Sequence, residues 1–324
     1  MAGVIGTARP GGTTIEGHGL DPGAALRFGS LTKTLTAAAV LRLQAAGALD
    51  LDAPVTDLLP DLPSIGDPTA RQLLRHTSGL PNYTDDPAFL AEATTPGRRF
   101  APRELVALAA RAPRTRSGVH AYSNTGYIVL GLLLEAAGGR PYADVLRDQV
   151  LEPAGMSTAW VDGDEPARAP LVRGWATGPD GAAVDVTDLL HPSAAWAAGG
   201  VAGTAADALA LSRALAEGRV LPPAGAAAMR DWTPTAHPLF ALVEGYGLGL
   251  ARMRLGPWEA HGHPGNIPGF SALLAHVPEL ETHVVVLLAE DHAPDEDGRL
   301  PVERQALAAL RQLPRRRAGQ RKRC

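Results

Sequence analysis

The stretch that decides the reading is "GSLTK", residues 29–33. The chain has 30 basic residues, of which only Lys33 and Lys322 are lysines and the rest arginine. If Ser30 opens a helix, Ser30 and Lys33 lie one turn apart on the same face. A serine hydroxyl is a weak nucleophile until a neighbour takes its proton. Arginine keeps its charge and cannot do so, whereas the lysine pKa falls readily on burial or beside other cations. Lys33 is therefore the one residue among the lysines and arginines of the body suited to shuttle a proton. The plain alternative is an exposed lysine in the first turn of a helix.

Outward from this stretch, "SLTKTLTAAAVLRLQAAG" predicts a helix that closes on Gly47. The first twenty residues predict a hairpin, with "GVIGTA" and "TTIEGHG" joined by the turn "RPGG". Pro-punctuated loop follows in "DLDAPVTDLLPDLP", then helices over 102–112, 124–139, 141–155 and 204–218. The segment 160–200 reads either as loop or as short strands. From Gly245, "YGLGLARMRL", "WEAHGH", "FSALLAHV" and "THVVVLLAED" predict strands, with "PELE" turning the last pair. A last helix is predicted in "VERQALAALRQL". Strands at both ends with helices between imply an α+β fold, an antiparallel sheet built from the two chain ends and a largely helical insertion. One catalytic domain is expected over 1–313, its α/β lobe from 1–46 and 240–313 and its helical lobe from 47–239. A site is expected in the cleft between the lobes. Residues 314–324 read as a disordered basic tail.

Composition narrows the function classes. At 45% apolar and 20% charged, the 324 residues suit a globular protein rather than a disordered one. The net charge of −4 hides an asymmetry: the stretch from Arg311 onward carries seven basic and no acidic residues, leaving 23 − 34 = −11 for the rest. An acidic body argues against nucleic acid as a partner. The single cysteine, Cys324, excludes an intramolecular disulfide and a Cys-based metal site. His261 and His263 alternate on a strand, but no third ligand stands at diagnostic spacing, so no metal is expected. The apolar run 127–134 is far too short to span a bilayer. With no basic n-region or apolar leader near Met1, the expectation is a soluble, cytoplasmic protein with no membrane segment.

Two further motifs carry chemistry. In "AYSNTGY", Tyr122 is a phenol that can share a proton with an ammonium, and Asn124 a carboxamide that can orient a carbonyl. The alternative is a packed tyrosine and a helix-capping asparagine. In "HGHPGNIPGF", 261–270, Gly265 permits close approach to a strand edge. The N–H of Asn266, just after it, could pair with that of Ser30 as an oxyanion hole. A Gly/Pro turn with incidental histidines is the competing reading. G-x-S-x-G, H-E-x-x-H and P-loop signatures are absent.

Ser-x-x-Lys, then Tyr-x-Asn, then His-x-Gly resembles the serine β-lactamase and penicillin-binding-protein superfamily. The Tyr-x-Asn form is similar to the branch of class C β-lactamases, D-alanyl-D-alanine carboxypeptidases and related esterases. "RQLLRHTSGLPNY", "LEPAGMSTA" and "AAGGVAGTAAD" also read like segments of that family, in its order. The resemblance implies a β-lactamase/transpeptidase-like fold and a cofactor-free hydrolase of a small ester or amide. It implies Ser30 as the acyl-forming nucleophile, Lys33 as its base partner and Tyr122 as the proton relay. It further implies that Asn124 orients substrate, that His263 stands where relatives carry lysine, histidine or tryptophan, and that the Ser30 and Asn266 amides form the oxyanion hole. Trp196 is a candidate for the pocket wall or for core packing, and "HTSG", 76–79, for holding a loop.

Two departures stand out. Pro264 occupies the middle of the third motif, where peptidases and β-lactamases usually offer Thr, Ser or Gly. It has neither hydroxyl nor N–H to grip a substrate carboxylate, which turns the expectation toward an ester or small amide. Met1 also falls nearly on the first strand, where the family places a helix. The competing functions are an acyltransferase on the same scaffold and a binding relative without turnover. Nothing in the sequence sets the oligomeric state.

Overall fold

The computed structural model describes residues 2–62, 65–235, 240–291 and 299–313. In chain order its strands are β1 Gly3–Arg9, β2 Gly12–His18, β3 Ala25–Arg27, β4 Trp160–Val161, β5 Trp175–Thr177, β6 Ala183–Asp185, β7 Val201–Thr204, β8 Thr233–Pro234, β9 Val243–Tyr246, β10 Ala251–Leu255, β11 Trp258–Ile267, β12 Phe270–Val277, β13 Thr282–Leu288 and β14 Glu290–Asp291. Gly11 and Gly12, at φ 114° and 151°, make the first hairpin turn, as "RPGG" predicts.

One eight-stranded sheet runs β2-β1-β13-β12-β11-β10-β9-β8 and its pairings are antiparallel. The N-terminal hairpin joins the C-terminal strands through the register Gly3↔Leu288 to Ala8↔His283. The sheet is thus built from both chain ends, and the fold is α+β. β13, "THVVVLL", is buried along its whole length because both faces are covered. On the outer face, Leu273, Ala275, Val284 and Val286 pack with Val302, Ala306 and Leu310 of the helix Pro301–Gln312. On the inner face, Val4, Ala8, Leu274, Val285 and Leu287 join the larger core that continues into the helices. Each fully buried Val or Leu contributes about 1.5–3 kcal/mol.

Helix Thr32–Ala45 is the axle of that core. Its residues from Thr32 to Leu41 are all buried, which "TLTAAAVL" permits by being small and apolar on every side. It packs between the sheet and helix Asn124–Gly138. The helix Ala205–Ala216, counted by sequence within the helical insertion, lies against β1, β12 and β13. The ambiguous segment 160–200 does contain strands: β4 and β3 flank β7, while β5 and β6 pair with each other and β5 with β14. Among the described residues no helix is long and apolar enough to cross a membrane. The tail 314–324 lies outside the described residues.

Candidate active site

Ser30 sits in a 3-10 turn, Gly29–Leu31, that leads directly into helix Thr32–Ala45. That turn is pressed onto β11. β10 accompanies β11 only as far as the pair Ala251↔Gly262, which leaves the edge of 263–267 without β10 as a neighbour. Gly29 has φ +53°, and a Cβ there would lie 2.8–2.9 Å from the backbone N, C and O of Asn266. A Cβ on Gly265 would lie 2.1 Å from the Phe28 carbonyl oxygen. Both glycines are therefore required by backbone contact, which brings the Ser30 and Asn266 segments together.

The three residues singled out first meet on one atom. Tyr122 Oη donates to Ser30 Oγ at 2.9 Å, and Lys33 Nζ lies 3.1 Å from the same oxygen. Lys33 Nζ also donates to Asn124 Oδ1 and to the Ala198 carbonyl, each at 2.7 Å. It stands 5.0 Å from the centre of the Tyr122 ring and 5.5 Å from that of Tyr127. Lys33 is fully buried, and none of the ion pairs among the described residues includes it. Burial therefore holds its pKa well below the usual 10.5. A neutral amine has two hydrogens and one lone pair. The two carbonyl oxygens can only accept, so in the neutral form they would take both hydrogens and leave the lone pair for the Ser30 hydroxyl, whereas an ammonium would donate to all three oxygens. Burial raises the Tyr122 phenol pKa, only partly opposed by its bond to Ser30, so that ring remains a proton donor.

Neighbouring loops fix these groups. The Ala198 carbonyl comes from the short helix Trp196–Gly199, which is tied to the central helix by Thr36 Oγ1 donating to the Ala197 carbonyl at 2.7 Å. Thr32 Oγ1 accepts from Val201 N–H at 3.0 Å. Asn124 opens its helix, and its N–H, which has no partner within the helix, donates to Asn82 Oδ1 at 3.0 Å. Asn82 lies in the quoted "LPNY" but had no signal of its own, because its role is a contact between distant loops.

The remaining predicted residues divide. Gly265 and the Asn266 backbone lie against the Ser30 turn, while Asn266 Nδ2 donates to Asp291 Oδ1 at 2.8 Å. His263 is fully buried, so its ring presents no exposed surface to a ligand. Its Nδ1 lies 2.5 Å from the Pro264 carbonyl and so carries the proton; Nε2 accepts from Tyr246 Oη at 2.7 Å. His261 is separate, with Nε2 3.0 Å from Glu259 Oε1. Trp196, a candidate for pocket wall or core packing, shows features of both. At φ +35° its ring turns against Gly131 and Tyr142, and Nε1–H donates to Asp164 Oδ2 at 2.9 Å. It borders a cavity lined by Glu135, Asp164 and Arg103 and is otherwise core.

A serine hydroxyl between a buried amine and a protonated phenol, on this sheet-and-helix scaffold, defines a serine hydrolase. The family model described as Beta-lactamase matches residues 4–308. A D-stereospecific amidohydrolase from Streptomyces sp. is 32% identical, with 92% of each chain covered and a TM-score of 0.81. The D-amino acid amidase of Ochrobactrum anthropi SV3 is 28% identical, with 96% of this chain and 92% of that one covered and a TM-score of 0.86. Penicillin-binding protein 4 of Amycolatopsis lactamdurans is 29% identical over 274 residues, 77% of this chain and 68% of that protein. Matches to two Bacillus subtilis penicillin-binding relatives span only 33% and 32% of their length. The chain belongs to the Beta-lactamase family.

Proposed function

We propose that the chain hydrolyses small amides or esters through an acyl-enzyme on Ser30, with amides of D-amino acids as its principal substrates. The observation that carries this reading is the double contact at Ser30 Oγ, with Lys33 Nζ at 3.1 Å and Tyr122 Oη at 2.9 Å. As Ser30 Oγ bonds to the substrate carbonyl carbon, its proton passes to the Lys33 lone pair. The carbonyl oxygen becomes an oxyanion, received by the N–H groups of Ser30 and Asn266. Each such donor supplies about 10²–10³ in kcat. The C–N or C–O bond then breaks as Tyr122 protonates the leaving group, and the Lys33 ammonium returns the proton to the phenolate. Water repeats the sequence in reverse to release the acid, with the amine and phenol acting as one coupled pair. Asn124, held by Lys33 through Oδ1, is placed to orient the substrate with its amide nitrogen. His263 serves by fixing Tyr246 behind the site.

The substrate class rests on two supports. Two structural neighbours that span nearly the whole chain bear the names D-stereospecific amidohydrolase and D-amino acid amidase. Pro264 offers no hydroxyl or N–H for the carboxylate that a penicillin or a peptide C-terminus would present. The test compares kcat/KM for D- and L-phenylalanine amide, an aryl acetate and a chromogenic cephalosporin. The D-amide should exceed the L-amide by more than tenfold and the cephalosporin should be the poorest substrate. Preference for the cephalosporin, or for the L-amide, would overturn the assignment.

A further inference from the structure

We propose that His76 is the positioning residue for Tyr122, an inference that rests on the role given to Tyr122 above. His76 follows the helix Ala70–Leu74 at φ +56°, a left-handed angle that glycine adopts without strain after a helix end. The chain nonetheless keeps an imidazole there, and the ring is buried. A non-glycine residue held in this region prompts the question of what its side chain does.

That function is visible in what the residue touches. The His76 carbonyl accepts from Ala121 N–H at 2.8 Å. Its Nδ1 accepts from Ser123 N–H at 3.2 Å. Between those two anchors the imidazole lies against the Tyr122 ring, centroids 4.3 Å apart and planes inclined by 37°. One residue thus grips the backbone on both sides of the phenol and supports the ring itself. The rings of Tyr127 and Tyr246, at 5.2 and 4.8 Å, close around the imidazole. The rest of "HTSG" extends the same template: Gly118 N–H donates to the Thr77 carbonyl at 2.8 Å and Thr115 N–H to that of Gly79 at 2.9 Å. Because Nδ1 accepts from an amide, it carries no proton, and the imidazole proton resides on Nε2.

The decisive comparison is His76→Gly against His76→Asn. Glycine suits the backbone angle and removes the grip; asparagine tolerates the angle and returns an acceptor, Oδ1, near the place of Nδ1. For D-phenylalanine amide, His76→Gly should lower kcat about 10–100-fold while KM moves less than about threefold, as expected of a misplaced catalytic group. His76→Asn should recover kcat to within about fivefold of wild type, and His76→Gly should add less than about twofold to the loss caused by Tyr122→Phe. Wild-type kcat in His76→Gly, no recovery in His76→Asn, or losses that multiply would each overturn the inference. Should the glycine variant not fold, nitrogen NMR of the wild-type enzyme decides. A proton on Nε2 of His76 supports the grip, and a proton on Nδ1 refutes it. Undiminished kcat in Tyr122→Phe would instead refute the role of Tyr122 itself, so the two failures are told apart.

Discussion

Replacing Lys33 with methionine asks whether the folded protein holds a neutral amine. Methionine fills nearly the same volume but cannot ionise. In the wild type Nζ is enclosed by Ser30 Oγ, Asn124 Oδ1 and the Ala198 carbonyl, and burial lowers the lysine pKa well below 10.5. Between the folded pKa and 10.5 the unfolded chain binds a proton that the folded protein does not. Wild-type stability must therefore rise with pH across that window, by up to about 1.4 kcal/mol per pH unit from this one group. The contribution is complete above 10.5 and is lost as pH falls to the folded pKa. The methionine variant lacks it, but leaves Asn124 Oδ1 and the Ala198 carbonyl without their donor, about 1–3 kcal/mol for each buried acceptor. The wild type should accordingly lead most at alkaline pH, and its lead should shrink as pH falls from 10.5 toward the folded pKa. Urea unfolding of both proteins at a series of pH values measures the difference and cancels all other titrations. A difference that does not change with pH would mean that Lys33 is charged in the folded state, and the proton-acceptor argument would fail.

Three other substitutions have defined outcomes. Tyr122→Phe keeps the ring against His76 but removes the hydroxyl from Ser30 Oγ, so steady-state assays should show kcat lower by about 10²–10⁴ with the fold intact by circular dichroism. Gly265→Ala places a Cβ 2.1 Å from the Phe28 carbonyl oxygen and must displace the turn bearing Ser30; a loss of about 10² in kcat is expected. Trp196→Phe deletes the donor to the exposed Asp164 carboxylate, 2.9 Å away, and should cost about 0.5–1.5 kcal/mol in urea unfolding. The same variant should keep kcat within about threefold, since Trp196 borders a different cavity.

The candidate site was legible where chemistry and local geometry coincide. Ser30 and Lys33 are one helical turn apart, so their spacing alone puts them on one face, and a lone lysine in an arginine-rich body stands out as the candidate proton carrier. Tyr122 and Asn124 could be named because phenol and carboxamide at that spacing resemble a known family, yet their convergence on Ser30 Oγ and Lys33 Nζ spans 92 and 91 residues. The sheet was legible from strand runs at both ends, and β13 from its unbroken apolar run. Other parts were not. β4 to β7 are two to four residues long, below the length at which alternation has meaning. The place of Trp196 before "AAGG" left pocket wall and core packing both open, and only the fold shows its ring against Gly131 and Tyr142 with one edge on a cavity. The contacts of Asn82 with Asn124 N–H and of His76 with Ser123 N–H join side chains to distant backbone amides, for which no spacing rule exists.

The most direct test of the central claim is the intact mass of the enzyme quenched during turnover of D-phenylalanine amide or an aryl ester, followed by peptide mapping. A transient acyl group should appear on the peptide bearing Ser30, be absent from Ser30→Ala, and form more slowly in Lys33→Met. Steady turnover with no adduct at residue 30, or with the adduct persisting in Ser30→Ala, would contradict the account.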